Sequence, residues 1–276
     1  MPELPEVETL KRELTRALTG KKIKSFHSEK FSLALAGKKI KTINRRAKIL
    51  SLELSSGEFL LIHLKMTGQL IFYPASGQSV MGGHPTPPAS GPTKHTRAKF
   101  DFTDGSRLHF NDLRKFGWLK LLPANEAEKI FDRHGPEPLG RDFSSETLKQ
   151  IIKRYPRRRI KQILLDQTLI AGLGNIYVDE ACFLSAILPD RIASSLTDRD
   201  IIKLHQSIID VLKLSIAKKG TSARNYRRSN GGKGGMVANL KVYGRQNQPC
   251  TRCKKGIIQK IKLNGRGTHF CNQCQK

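Results

Sequence analysis

The chain has 276 residues and carries 50 Lys and Arg against 23 Asp and Glu, a formal charge of +27. That excess is larger than solubility requires and points to a polyanionic partner, nucleic acid or an anionic membrane surface. No apolar run approaches the length of a bilayer span, and the acidic start Met1-Pro2-Glu3-Leu4-Pro5-Glu6 lacks a signal-peptide core, so nucleic acid is the stronger reading and a cytoplasmic location is expected.

From the N-terminus, Leu4, Val7, Leu10, Leu14 and Leu18 recur at helical spacing and predict an amphipathic helix over residues 5–19, stopped by Gly20. Strand patterns follow. Ile49 to Leu54, a Ser56-Gly57 turn and Phe59 to Leu64 form one hairpin pattern; Phe100 and Phe102, Asp104-Gly105, then Leu108 and Phe110 form another. Residues 74–94 are rich in Pro, Gly and Ser and read as an exposed loop. The first domain is therefore expected over 1–123, mostly β. Gly135-Pro136-Glu137-Pro138 marks 124–142 as a linker.

The second half reads as helical over 143–240. Ser144 and Ser145 offer N-caps for a helix ending before Pro156. Thr197 and Asp200 form a capping box for a long helix running to Lys219 and stopping at Gly220. Gly172-Leu173-Gly174-Asn175 opens another helix and resembles an anion-binding start, where backbone N–H groups favour phosphate. Such a turn also simply connects helices; Arg157-Arg158-Arg159 and Lys161 nearby favour the phosphate reading. Residues 220–235 are Gly-, Ser- and Arg-rich and are expected to be mobile.

Four of the five cysteines fall at the end, in a finger expected over 241–276: Cys250-x2-Cys253, seventeen residues, then Cys271-x2-Cys274. Two such pairs around a hairpin predict one tetrahedral structural zinc ion with no open position. Arg266 lies on that hairpin; by itself it is an ordinary solvated charge.

The N-terminus offers a second kind of chemistry. If Met1 is removed, Pro2 presents a secondary amine whose pKa of ~8 leaves far more of it neutral near pH 7 than a lysine at about 10.4. Attack on a sugar C1′ would expel a base, and Glu3 could act as general acid. In isolation, Pro and Glu at a helix start are ordinary helix-initiating residues.

Several motifs occur in a fixed order: Met1 to Glu8, Arg46-Ala47-Lys48, His63 to Gly68, Asn111-Asp112-Leu113-Arg114-Lys115-Phe116-Gly117, Ala171 to Glu180, Val242-Tyr243-Gly244-Arg245 and the four cysteines. Together they resemble the formamidopyrimidine-DNA glycosylase family over essentially the whole chain. The resemblance implies an α+β, two-domain fold: an N-terminal β-sandwich carrying an N-terminal helix, then a helix–two-turn–helix domain ending in a four-Cys zinc finger, with a DNA cleft between the domains. It implies a monomeric bifunctional glycosylase and abasic-site lyase acting on oxidised purines in double-stranded DNA, away from membranes. The assignments are Pro2 as nucleophile, Glu3 as acid, Lys48 in β-elimination and Arg266 in δ-elimination. Met66, Arg114 and Phe116 match a trio that fills the gap left by an extruded base, a use suited to an apolar wedge; without the resemblance Met66 and Phe116 read as core residues on strands. His95, Arg157, Lys161 and Asn175 are expected at DNA, and Cys250, Cys253, Cys271 and Cys274 at zinc. Gly235-Met236-Val237-Ala238-Asn239 departs from the family pattern beside the lesion-capping segment, which bears on lesion preference. Two rivals stand beside this reading: an endonuclease VIII-type enzyme for oxidised pyrimidines, and a noncatalytic zinc-ribbon nucleic-acid binder.

Overall fold

The leucine stripe of the N-terminus forms helix α1 (Leu4–Leu18), with Leu4, Val7, Leu10, Leu14 and Leu18 buried in this computed structural model. The described residues are 1–76, 80–83, 91–221 and 235–276. Nine strands follow: β1 (Ile23–His27), β2 (Ile40–Arg46), β3 (Ile49–Leu54), β4 (Phe59–His63), β5 (Gly68–Tyr73), β6 (Val80–Gly83), β7 (Thr96–Phe102), β8 (Arg107–Asp112) and β9 (Trp118–Leu122). They make two antiparallel sheets, ordered β1-β7-β8-β5-β6 and β2-β3-β4-β9. Leu50, Leu52, Leu60 and Ile62 of one sheet meet Leu70, Phe100, Leu108 and Phe110 of the other in one buried cluster that also takes Leu10 and Leu14 of α1. Period-2 alternation on both sheets puts these side chains inward, and the result is a β-sandwich.

Two expectations change here. Within the loop expected over 74–94, residues 80–83 form β6 on the edge of the five-stranded sheet, paired with β5; residues 77–79 and 84–90 lie outside the described residues. The linker expected over 124–142 begins instead with helix α2 (Ala124–Phe131). Ile49 and Leu61 point to the outer face of the four-stranded sheet, and Ala127 buries with them. An apolar outer face needs a cover, and α2 supplies it.

The chain divides into two compact units, Met1–Asp132 with Lys218–Val237, and Arg133–Ala217 with Ala238–Lys276. The second unit contains α3 (Ser145–Arg154), α4 (Ile160–Leu165), α5 (Asn175–Leu184), α6 (Asp198–Ala217) and a hairpin of β10 (Gln259–Leu263) and β11 (Arg266–Phe270). Ser144 caps α3 by accepting from the Thr147 N–H at 3.0 Å. Thr197 and Asp200 exchange side-chain and backbone bonds at 3.1 and 3.2 Å at the start of α6. Left-handed Lys219 and Gly220 end that helix. The stretch expected to be mobile, 220–235, falls mostly on 222–234, outside the described residues.

His109, inside β8, is 2% exposed and lies against the Tyr73 ring at 4.8 Å. Burial, joined by the Arg107 and Lys99 cations and opposed by Asp101, lowers its pKa from 6.5 to about 4. The folded protein therefore holds His109 neutral where the unfolded chain protonates it. Its contribution to stability is complete above about pH 6.5 and is lost as pH falls toward 4. Thermal unfolding from pH 7 to 4.5 should show a falling midpoint, and His109→Phe should flatten that fall; an equal slope in both proteins would remove His109 as its cause.

Candidate nucleic-acid interface and zinc centre

Strand register gathers the first group of candidate residues. Arg46 pairs with Ile49, Ile49 with His63, and His63 with Trp118, so these four stand in one row at one end of the sheet. The turn carrying Lys48, the turn carrying Met66 and the loop carrying Arg114 and Phe116 all leave from that row. Ala47 is left-handed at φ 52°, and its carbonyl accepts from Arg45 at 2.8 Å. Arg45 also donates to Glu8 of α1 at 3.1 Å, and Glu8 accepts from Arg12 at 2.8 Å. Burial acts to raise the Glu8 carboxyl, but the two arginines outweigh it and hold it below its ordinary range. This link fixes the Lys48 turn against α1. Lys48 is buried.

Pro2 and Glu3 are buried at the N-terminal end of α1, with Glu3 as its N-cap. The Glu3 N–H donates to Glu6 Oε2 at 3.0 Å, while Glu6 Oε1 accepts from the Thr221 N–H and hydroxyl at 2.7 and 2.9 Å. Glu6 thus joins the start of α1 to residue 221, which explains why 218–237 belongs to the first unit rather than to the helical stretch expected over 143–240. In the sequence Glu6 stands only as a helix-initiating acid, and its spacing of three from Glu3 is the one local trace of the capping bond.

Met66 and Phe116 are exposed, 38% and 54%, as are Arg114 and Leu113. The reading of Met66 and Phe116 as core residues is therefore excluded. The Arg114 guanidinium lies over the Phe116 ring at 4.8 Å, which stiffens both. His95 is half-buried, and its carbonyl accepts from the Asp112 N–H at 2.8 Å.

In the second unit, Arg157 is exposed before α4 and has no ion-pair partner among the described residues. Its neighbours are engaged: Arg158 with Asp166 at 3.1 Å and Arg159 with Asp190 at 3.9 Å. Lys161, expected at DNA, is 1% exposed. Its ammonium meets Asp179 Oδ1 at 2.5 Å and Thr268 Oγ1 at 2.9 Å, and Asp179 Oδ2 accepts from the His269 N–H at 2.9 Å. Lys161 is thus a structural pin between α4, α5 and β11. Its place in a basic run suggested DNA, but the partner that decides its fate is remote in sequence. Lys161→Met should cost about 3–5 kcal/mol by leaving Asp179 uncompensated. It should leave the salt slope of duplex affinity unchanged; a slope lower by about one unit would restore the phosphate role.

Asn175 opens α5 after Gly174, and its amide donates to the Gly267 carbonyl at 2.8 Å. Its Oδ1 is buried with no hydrogen-bond partner among the described residues. Gln167 braces the preceding turn, accepting from the Gly172 N–H at 3.0 Å and donating to the Leu173 carbonyl at 2.8 Å. Buried Glu180 accepts from the N–H groups of Lys241, Val242 and Tyr243 at 2.8, 2.9 and 2.8 Å. Burial pushes its carboxyl above the ordinary range against the pull of these donors.

The four sulfurs of Cys250, Cys253, Cys271 and Cys274 lie within 4.8 Å of one another, with separations of 3.5 Å for Cys250–Cys274 and 3.9 Å for Cys253–Cys271. Tetrahedral zinc with bonds of about 2.3 Å requires sulfurs roughly 3.8 Å apart, so the donor set fits one structural zinc ion. The Gly256 and Arg252 N–H groups point at Cys253 and Cys250 sulfur, at 3.2 and 3.4 Å, as thiolate ligands require. Asn264 and Gly265, at φ 48° and 76°, make the hairpin tip, and exposed Arg266 follows directly.

Three family models match successive parts of the chain. Residues 1–119 match the formamidopyrimidine-DNA glycosylase N-terminal domain, 134–226 the H2TH domain of the same enzymes, and 247–276 the zinc finger found in FPG and IleRS. A formamidopyrimidine-DNA glycosylase of Pelotomaculum thermopropionicum is 41% identical over 92% of this chain and 91% of its own. One from Desulfitobacterium hafniense is 39% identical over 92% of each. A Lactococcus lactis Fpg in complex with abasic-site DNA is 36% identical, covers 99% of both chains and superposes with a TM-score of 0.87. The same organism's enzyme bound to Fapy-dG DNA gives 36% and 0.86. Among the described residues, no helix is long and apolar enough to cross a membrane.

Proposed function

The chain belongs to the formamidopyrimidine-DNA glycosylase family, and from that premise we propose that it excises oxidised purines from double-stranded DNA with Pro2 as nucleophile. It is a DNA glycosylase of base-excision repair with abasic-site lyase activity, working as a cytosolic monomer. After removal of Met1, the Pro2 amine attacks C1′. The bond from C1′ to the base breaks and the base leaves with the electron pair and a proton. Glu3 protonates the ring oxygen; the ring opens as C1′=N⁺ forms and the amine loses its proton. The cation acidifies the C2′ proton, which Lys48 takes, and the 3′-phosphate leaves in β-elimination. A second elimination, assisted by Arg266, releases the other phosphate, and water frees Pro2.

The observation that carries this reading is the local one: Pro2 and Glu3 are buried at the start of α1, and the Glu8–Arg45 link holds that helix to the Lys48 turn. Met66, Arg114 and Phe116 leave from the same row of the sheet as that turn and would fill the vacated stack. Exposed Arg157 and Arg266, with half-buried Asn175, serve as phosphate and elimination contacts of the second unit. Zinc, held by the four cysteines, supplies shape to the Arg266 hairpin and no reacting group. Single-turnover excision decides between the readings. Duplexes with 8-oxoguanine and formamidopyrimidine should be cut faster than one with thymine glycol. Preference for thymine glycol would select the pyrimidine-directed alternative, and binding without excision would select the noncatalytic one.

A further inference from the structure

The exposed wedge residues sit on two separate turns, Met66 between β4 and β5, and Arg114 and Phe116 between β8 and β9. Something must hold the turns in register before DNA arrives. Asp112 is completely buried and Thr67 nearly so. Thr67 Oγ1 donates to Asp112 Oδ1 and accepts from the Arg114 N–H at 3.0 Å. Asp112 Oδ2 accepts from the Gly117 N–H at 2.6 Å, closing the other end of the loop. The Asp112 carbonyl accepts from Arg97 Nε at 3.0 Å. Outside the loop, Lys30 donates to the Lys115 and Gly117 carbonyls at 2.6 and 2.7 Å.

The loop is also sterically committed. Lys115 takes a left-handed φ of 59°. A Cβ on Gly117 would stand 2.6 Å from the Phe110 ring and 3.0 Å from Asp112 Oδ2. The chain therefore presses against Asp112 with no room for a side chain. One hydroxyl and one carboxylate join residue 67, adjacent to Met66, to residues 114 and 117, which flank Lys115 and Phe116.

We propose that Thr67 and Asp112 are positioning residues that preset the two wedge turns as one rigid unit, so that the ordering cost of insertion is met in folding rather than on DNA. Preorganisation of this kind speeds a step in which a wedge enters a base stack, and it leaves chemistry on an already accessible sugar unchanged. The proposal rests on the wedge role of Met66, Arg114 and Phe116.

The test compares two substrates, an 8-oxoguanine duplex, which requires insertion, and a single strand with a preformed abasic site, which does not. Thr67→Val removes the hydroxyl and keeps the branched shape. It removes two hydrogen bonds, the one given to Asp112 and the one taken from the Arg114 N–H, and should slow duplex excision at least about tenfold, the effect of even one lost buried hydrogen bond at the insertion step, with single-strand cleavage within about twofold. A 2-aminopurine beside the lesion should report slower insertion, and Thr67→Ser should recover both. Asp112→Asn should act in the same direction, and thermal unfolding checks that each variant is folded. Equal losses on both substrates would mark a general structural defect and overturn the proposal. Phe116→Ala separates the two ideas. If it slows duplex excision selectively while Thr67→Val does not, the positioning role fails and the wedge stands. If it has no duplex-selective effect, the wedge reading fails, and the positioning role with it.

Discussion

Pro2→Gly will sharply reduce the protein–DNA adduct trapped by borohydride and slow excision of 8-oxoguanine by ~10³-fold or more, the scale on which removing a nucleophile acts. The reason lies in the amine. A secondary amine condensing with C1′ gives an iminium ion that is cationic without any further proton, so it withdraws electrons from C2′ at every pH. A glycine amine gives a neutral imine that must first be protonated. The pyrrolidine ring also fixes the direction of the lone pair, and Pro2 is packed in a buried position next to the N-cap residue Glu3; glycine gives up both. The same argument makes Met1 decisive, because an acylated proline nitrogen has no lone pair to give. Intact-mass measurement should find Met1 absent from active protein. Undiminished trapping in Pro2→Gly, or full activity in protein that quantitatively retains Met1, would end the assignment.

What the sequence disclosed and what it hid follow from the range of the interactions. Helix α1, the hairpins around Gly57 and Gly105, the Ser144 cap and the Thr197–Asp200 box are set by residues within a few positions of one another, and they form where their patterns place them. The cysteine pairs are legible for the same reason, since each CxxC is a local chelating turn. Lys161 was not legible: in sequence it extends an arginine run, and only the fold brings it to Asp179 and Thr268. Nor was the join between Glu6 and Thr221, which are separated by most of the chain. Met66 and Phe116 have the composition of core residues; their exposure comes from turns whose geometry Thr67 and Asp112 dictate. Helix α2 left a readable trace. Ala127, Ile130 and Phe131 are spaced as one apolar face, but Gly135-Pro136-Glu137-Pro138 just beyond made the whole stretch look like a linker.

Removing zinc will unfold the Arg266 hairpin and weaken duplex binding by roughly 10- to 100-fold, the worth of the charge-assisted contact that Arg266 would lose. The apolar cluster beneath the finger contains Phe183, Val242, Ile258 and two of the ligands themselves, Cys250 and Cys271. Take away the metal and this core becomes a handful of side chains around free thiols, too few to meet the entropy of ordering some thirty residues. A structural zinc contributes on the order of 10 kcal/mol to such a fold. The contacts of Glu180 to 241–243, of Asp179 to His269 and of Lys161 to Thr268 anchor the base of the finger, so α5 and its partners should persist while the tip bearing Arg266 loosens. Cys274→Ser should reproduce the effect of a chelator, and metal analysis should return one zinc per native chain. Because Pro2, Glu3 and Lys48 belong to the other unit, the chelated protein should still be trapped on a single-stranded abasic site. Full duplex affinity after complete zinc removal would show that the hairpin is held by its packing alone; loss of trapping on the single strand would show that the zinc finger governs the proline chemistry itself.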